Sequence, residues 1–382
     1  MPPGLPPLFY LDTPIAPRAT SEPDLTRAAQ RLEEGLRSFS VIGRVARINP
    51  GPVVTTYEFE ADAGVKSRLV LGLADDVCLA MGVESVRIAR TPGRPTFSIE
   101  IRNAHRDAIF LRDVLESNEA HAERSPLTIA LGKTATGDSL VTPLTQLPHL
   151  VIGGETIDRT SPVVTAMLAS LLCRAAPKGA RVILIDPQQQ ALSVFDGIPH
   201  LLTPVITDPA MAVRAFHWAA REMETRFIPA SAEPDARNTL LPDPAIVIVL
   251  HDLAALPTLA HRQIEDAICR LGLVSRHVGI HLILTTSRVS KDVLTWLIKA
   301  HCPARLSLRR VSKTDSNAIL DGTGAEQLLD DGDMLYLAPA SARLVRVHGP
   351  RVSEAEVQRL THFWRRTSAP AYNSAVVAAP GR

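Results

Sequence analysis

The sequence predicts an α/β protein: a mainly parallel sheet flanked by helices, preceded by a smaller α+β domain. Two observations carry this. From Ser125 onward, continuous apolar runs (HLVIGG, RVILID, AIVIVLHD, GIHLILTTS, RLSLRRV) alternate with long helical patterns, as strands buried on both faces do. Before that point, the runs VIGRVARINPG, VVTTYEFEA, SVRIAR and TFSIEIR alternate apolar and polar residues. They are spaced by turn signals at Pro50-Gly51 and Pro92-Gly93, as half-buried strands are.

Each segment follows in order. Residues 1–22 are proline-rich and expected to be irregular, with Leu8-Phe9-Tyr10-Leu11 as a docking strip. The helical pattern LTRAAQRLEEGLRSFS opens the smaller domain, residues 23–124, whose second helix is DDVCLAMG. The larger domain spans 125–366. Its first strand leads into PVVTAMLASLLCRAA, a helix apolar on most sides, and SEAEVQRLTHFWRR closes it. Residues 229–244 are polar and proline-rich and read as a surface loop. Residues 367–382 form an Ala/Pro tail, and no internal repeat is visible.

Length and composition bound the function. A chain of 382 residues accommodates two domains with real cores. A net charge of +1 does not announce a nucleic-acid partner, so any basic surface must be local. Cys78, Cys173, Cys269 and Cys302 lie far apart among apolar neighbours, with no C-x-x-C pair. They read as buried free thiols in a reducing cytoplasm, and no metal site is expected. There is no signal peptide and no apolar stretch long enough to span a bilayer, so the expectation is a cytoplasmic protein with no membrane partner.

The most informative segment is PHLVIGGETIDRTSPVVTAM. The apolar run Leu150-Val151-Ile152 reads as a buried strand; after Gly153, the frame G-x-x-x-x-G-K-[ST] of a phosphate-binding loop begins at Gly154. The first glycine and the final hydroxyl, Ser161, are present; Arg159 replaces the second glycine and Thr160 the lysine. A side chain at the second glycine obstructs close approach of the backbone to phosphate. Glu155 and Asp158 add negative charge there. One charge-assisted contact is worth roughly 1.5–3 kcal/mol, so loss of the lysine costs about ten- to a hundredfold in affinity. The plainer reading makes Thr160/Ser161 a helix cap with Pro162 at the first helical position, Ser161 being aimed away from any Mg²⁺. In another, Arg159 supplies a displaced cation.

A wider set of strings then falls in order: GPVVTTYEFE, AGVKSRL, PGRPTFSIEI, SPLTIALGK, PHLVIGG, IDPQQQALSVFDGIPHLLTPVITD, EMETRF, GIHLILTTSR, KTDSNAILDGTGAEQLL and DGDMLY. Together they resemble the motor portion of the FtsK/SpoIIIE DNA translocases over nearly the whole chain. The resemblance implies an N-terminal α domain, a RecA-like P-loop-type β domain, and a hexameric ring threading duplex DNA. It also implies that the membrane-spanning N-terminal domain and the DNA-reading winged-helix γ domain of that family are lacking here.

The departures from the family pattern cluster. Its loop GTTGSGKS aligns with Gly154–Ser161. Its apolar strand ending in Asp-Glu aligns with AIVIVLHD, placing His251 at the magnesium-linked aspartate and Asp252 at the catalytic glutamate. Histidine is a poor Mg²⁺ ligand. Ser287 stands at the family's glutamine, followed by a retained Arg288, and Gln188 replaces the lysine after Asp186-Pro187. The resemblance therefore implies a translocase-motor homologue that binds double-stranded DNA with a degenerate ATP site. It would act as a homo-oligomeric ring or in hetero-assembly with an active paralogue, in chromosome partition or a related system. No cofactor is expected, with ATP and Mg²⁺ bound only if the atypical loop still works. The alternative is an active ATP-driven translocase using Arg159 and Asp252.

For DNA, the stretch Arg305, Arg309, Arg310 and Lys313 corresponds to a region near the translocase channel, and Arg237-Asn238 to another channel loop. Arg288, Lys291 and Lys299 form a second basic stretch. Contacts there would be to phosphate, independent of sequence and sensitive to salt. Other conspicuous residues have structural explanations. His149 and His200 are expected to make structural hydrogen bonds, and His277 and His281 not to bind metal. Trp218 and Trp296 are expected in the core or at an interface, and Ser139 and Ser193 have no nucleophile context.

Overall fold

A computed structural model describes residues 4–15, 21–91, 93–232, 244–272, 274–310, 312–341 and 343–378. Helix α1 (Glu22–Ser38) starts where Ser21 accepts from the Asp24 N–H, with proline in the first turn, and buries Ala29, Leu32 and Leu36. Strands β1 (Gly43–Pro50) and β2 (Val54–Ala61), helices α2 (Ser67–Gly72) and α3 (Ala74–Met81), and strands β3 (Val86–Arg90) and β4 (Thr96–Arg102) follow. The four strands form an antiparallel sheet in the order β1-β2-β4-β3. Phe59, Ile99 and Tyr57 on its inner face pack against Leu32, Leu36 and Val77.

Two short helices, α4 (Leu111–Leu115) and α5 (Asn118–Ala122), precede β5 (Thr128–Thr134), β6 (Ser139–Pro143), β7 (His149–Gly153), α6 (Ile157–Arg174), β8 (Ala180–Ile185), α7 (Pro209–Ala232) and β9 (Ala245–Leu250). Then come α8 (Thr258–Leu271), β10 (Ile280–Thr286), α9 (Trp296–His301), β11 (Ala304–Leu308), α10 (Lys313–Leu320), β12 (Asp333–Leu337), β13 (Leu344–His348) and α11 (Glu354–Thr367). Nine of these strands form one sheet, β6-β5-β13-β12-β11-β7-β10-β9-β8. The half from β11 to β8 is parallel. The half from β12 to β6 is antiparallel. The parallel half holds the five apolar runs that the sequence announces as strands.

Helices cover both faces. Phe216 and Trp218 of α7, Ile264 and Ile268 of α8, Ile298 of α9 and Ile319 of α10 pack on one. Val164, Leu168 and Leu172 of α6 and Trp364 of α11 pack on the other. Trp218 is thus a core residue, whereas Trp296 is 75% exposed and not in the core. Helices α4 and α5, which the sequence pattern groups with the smaller domain, pack against β5, β6 and α6. Leu11, from the proline-rich start, is buried beside Ile109, Leu111 and Leu360, and Arg359 donates to the Tyr10 carbonyl at 2.7 Å. That strip docks on the molecule's own closing helix.

His149 and His200 are structural, as expected: each Nε2 lies 2.9 Å from a backbone carbonyl, of Gly272 and Ala175 respectively. Burial holds both well below the ordinary histidine value, to about 3 and about 4. Among the described residues no cluster of His, Cys, Asp or Glu could hold a metal ion, and no helix is long and apolar enough to cross a membrane.

Candidate functional site at the strand ends

The parallel strands β8, β9, β10 and β7 end side by side, and polar side chains converge just beyond them. In such sheets this is where ligand sites form. Asp186 follows β8, His251 and Asp252 follow β9, Ser287 follows β10, and Gly154 follows β7. The fold thus brings together residues that the sequence holds up to about 130 positions apart.

The segment after β7 differs from both sequence expectations. Helix α6 starts at Ile157, so Pro162 lies inside it rather than at its first position, and Thr156, not Thr160/Ser161, is the N-terminal flanking residue. Thr160 and Ser161 instead turn their hydroxyls onto the Ile157 carbonyl, at 3.0 and 2.8 Å. These bonds hold the first turn together ahead of a proline that donates no N–H of its own. Most of the expected loop is therefore helix, and the amides of Thr160 and Ser161 point back along the helix axis. Gly153 and Gly154 are needed for close approach. A side chain at Gly153 would meet Ile319, and a Cβ on Gly154 would come within 2.6 Å of the Thr160 methyl. Thr160 itself is buried, packed beneath the loop.

Two basic residues pin this segment in place. Arg310 donates to the Gly154 carbonyl and is only 5% exposed. Arg310 is therefore a fastener of the loop rather than the surface cation for DNA that its sequence spacing suggests, and burial pulls its pKa down. Arg159 pairs with Asp330, and Arg309 reaches the same carboxylate at 3.2 Å. No local signal points to Asp330, which lies 171 positions from Arg159.

The remaining residues form two short networks. In the first, Ser161 Oγ lies 3.1 Å from His251 Nε2, and His251 Nδ1 lies 3.7 Å from Asp186 Oδ1. The second Asp186 oxygen accepts the Ala191 and Leu192 N–H groups at 2.9 and 3.0 Å. Burial would raise the Asp186 pKa, but neighbouring His251 and those two N–H groups outweigh it and hold the carboxyl at about 2. In the second network, Asp252 Oδ1 accepts from the Ser287 N–H at 2.9 Å and the Ala254 N–H at 3.2 Å. Its Oδ2 accepts from Ser287 Oγ at 3.0 Å and Gln188 Nε2 at 3.3 Å. Asp252 adopts a left-handed backbone (φ 71°), a conformation that costs a non-glycine residue about 1–3 kcal/mol. Its own N–H is tied to Thr285 Oγ1 at 2.8 Å.

Arg288 is exposed and pairs loosely with Asp292 at 3.5 Å. Lys299 and Arg305 both bind Asp321. Lys313 is exposed at the start of α10. Arg237 and Asn238 lie outside the described residues.

The comparisons with known proteins agree with this architecture. The FtsK alpha domain matches residues 5–103, and the FtsK/SpoIIIE family matches residues 110–232. Together these cover more than half of the chain. The chain belongs to the FtsK/SpoIIIE family. It is 40% identical over 407 residues to the DNA translocase FtsK of Bradyrhizobium diazoefficiens, covering 95% of this chain and 49% of that protein. A second relative, the DNA translocase FtsK of Rhizobium meliloti, is 40% identical over 414 residues (97% and 47%). The chain thus spans about half the length of these relatives. Among solved structures, the pCW3 conjugation coupling protein TcpA aligns with a TM-score of 0.58 at 16% identity over 90% of this chain and 100% of that one. The cytoplasmic domain of the Thermomonospora curvata Type VII secretion ATPase EccC aligns at 0.56 and 21% identity, over 67% and 33%. These likenesses carry the fold alone, a family of P-loop ATPase architectures. Arg159, Thr160, Gln188, His251, Asp252 and Ser287, where the sequence resemblance leads one to expect departures from the family pattern, make up the networks above or lie beside them.

Proposed function

We propose that this chain is a DNA-binding homologue of the FtsK/SpoIIIE motor that does not turn over ATP, acting within a ring of its own copies or with an active paralogue. The observation that carries the reading is the start of α6 at Ile157, which puts Arg159 and Thr160 in its opening residues with Arg159 paired to Asp330, so neither the second glycine nor the lysine of a phosphate loop is replaced in kind. Mg²⁺ and ATP do not fit the residues present. Position 251 offers a buried imidazole nitrogen where a hard cation requires oxygen, and both oxygens of Asp252 already accept hydrogen bonds. Arg159 is committed to Asp330. Phosphoryl transfer depends on positioned charge, so a site closed on itself has little to offer it.

Duplex DNA is the partner by analogy with the relatives named DNA translocase, and the exposure of Lys313 and Arg288 and the half-exposure of Arg309 support a role for them in meeting phosphate. Binding of a long duplex should weaken steeply with salt. The combined variant Lys313→Ala/Arg288→Ala should bind more weakly and with a shallower salt slope, by about one or two units. Binding that does not respond to salt, or an unchanged slope in the variant, contradicts this assignment.

A further inference from the structure

We propose that Asp330 is a built-in competitor for DNA: its carboxylate occupies Arg309 in the free chain, where a DNA phosphate would otherwise bind. The inference rests on the duplex-binding reading above and concerns how that surface is held back. Asp330 offers each oxygen to a different guanidinium. Oδ1 accepts from Arg159 in the first turn of α6, and Oδ2 accepts from Arg309 Nη1, just beyond β11, at 3.2 Å. Carboxylate and phosphate engage the same guanidinium donors, so an aspartate already in place takes up what a phosphate needs.

The carboxylate is held where it is by its turn. The Leu329 N–H donates to Asp333 Oδ2 at 2.7 Å, and the Gly349 N–H to the Gly332 carbonyl at 2.8 Å. Asp333 is itself buried and paired with Arg346 at 2.6 Å. The backbone of Arg309 is equally fixed, between buried Leu308 and buried Arg310. Its side chain is the movable part: it is half-exposed and, among the described residues, has no other ion pair. A cavity of about 660 Å³ lies against both Arg309 and Asp330 and gives the guanidinium room to turn away. Glu326 and Asp331 line that cavity too, but neither pairs with Arg309. Release of Arg309 leaves Asp330 on Arg159, so no carboxylate is stranded. A half-exposed pair is weak enough for phosphate to compete with it.

The test is the binding of the full chain to a fluorescent duplex of random sequence, followed against salt. Asp330→Asn keeps the shape of the side chain and removes its charge. It should bind about threefold tighter or more, with a salt slope steeper by about one unit. Arg309→Ala should matter little in the native chain and should abolish the gain in the Asp330→Asn background, a coupling that a purely structural aspartate would not produce. Asp331→Asn removes an equal charge one residue away and should leave the slope unchanged. A gain that persists in Asp330→Asn/Arg309→Ala belongs to Arg159 or to the general field and overturns the proposal, as does an equal gain in Asp331→Asn. If Asp330→Asn loosens the turn, Arg309→Ala alone decides: loss of about one unit from the slope of the native chain means that Arg309 is already free. Duplex binding by the native chain with no gain in Asp330→Asn overturns this inference and leaves the duplex-binding reading standing; no binding by any variant overturns both.

Discussion

At residue scale, the side chains beyond the parallel strand ends are tied to one another. Ser287 and Gln188 supply donors to Asp252, and His251 fills the space between Ser161 and Asp186. Reverting one of them alone should therefore harm the protein. In His251→Asp a second buried carboxylate would face Asp186, an acid that the native chain keeps ionised. An uncompensated buried charge costs about 3–5 kcal/mol. The urea midpoint of His251→Asp should fall accordingly at pH 7 and recover partly as the pH drops toward the carboxylate range. An unchanged midpoint would mean that the two positions are not coupled.

At the scale of elements, α6 departs furthest from what its sequence implies. Pro162 and the hydroxyls before it suggest a helix start, yet the helix begins a turn earlier and carries the proline inside. Local pattern could not foresee this, because the tertiary fasteners of the segment are Arg310 on the Gly154 carbonyl and Asp330 on Arg159. Pro162→Ala should restore an internal hydrogen bond and raise stability by about 1–3 kcal/mol, read as a higher melting temperature. A lower melting temperature would mean that the proline is required where it stands. The parallel strands were legible because each is a continuous apolar run. The antiparallel strands β5, β12 and β13 were not announced: their apolar runs are short, and the β5–β13 pairing joins segments far apart along the chain. The site residues were legible singly, as departures from a motif; their pairing needed the fold. Arg310 was misread because a basic run looks alike whether it faces solvent or a carbonyl.

At the scale of the whole molecule, the two sheets are joined by a buried ionic chain. Arg87 on β3 pairs with Glu100 on β4 at 2.9 Å, Glu100 with Arg346 on β13 at 2.9 Å, and Arg346 with Asp333 on β12 at 2.6 Å. Burial works against the charged form of Glu100, but the two arginines outweigh it and hold its pKa below the usual range. Glu100→Gln should leave two guanidiniums short of a partner and lower stability by about 3–5 kcal/mol, with the junction near Asn103 more open to proteolysis. An intact junction in that variant would show that apolar contacts alone hold the sheets together. This joint matters for the proposed function, which needs the scaffold to stay in register whether or not the strand-end site handles nucleotide. The most direct test is a titration of labelled ATP with Mg²⁺ against the purified chain, with and without long duplex DNA. The account predicts no saturable binding up to millimolar ATP under either condition; saturation in the micromolar range would contradict it.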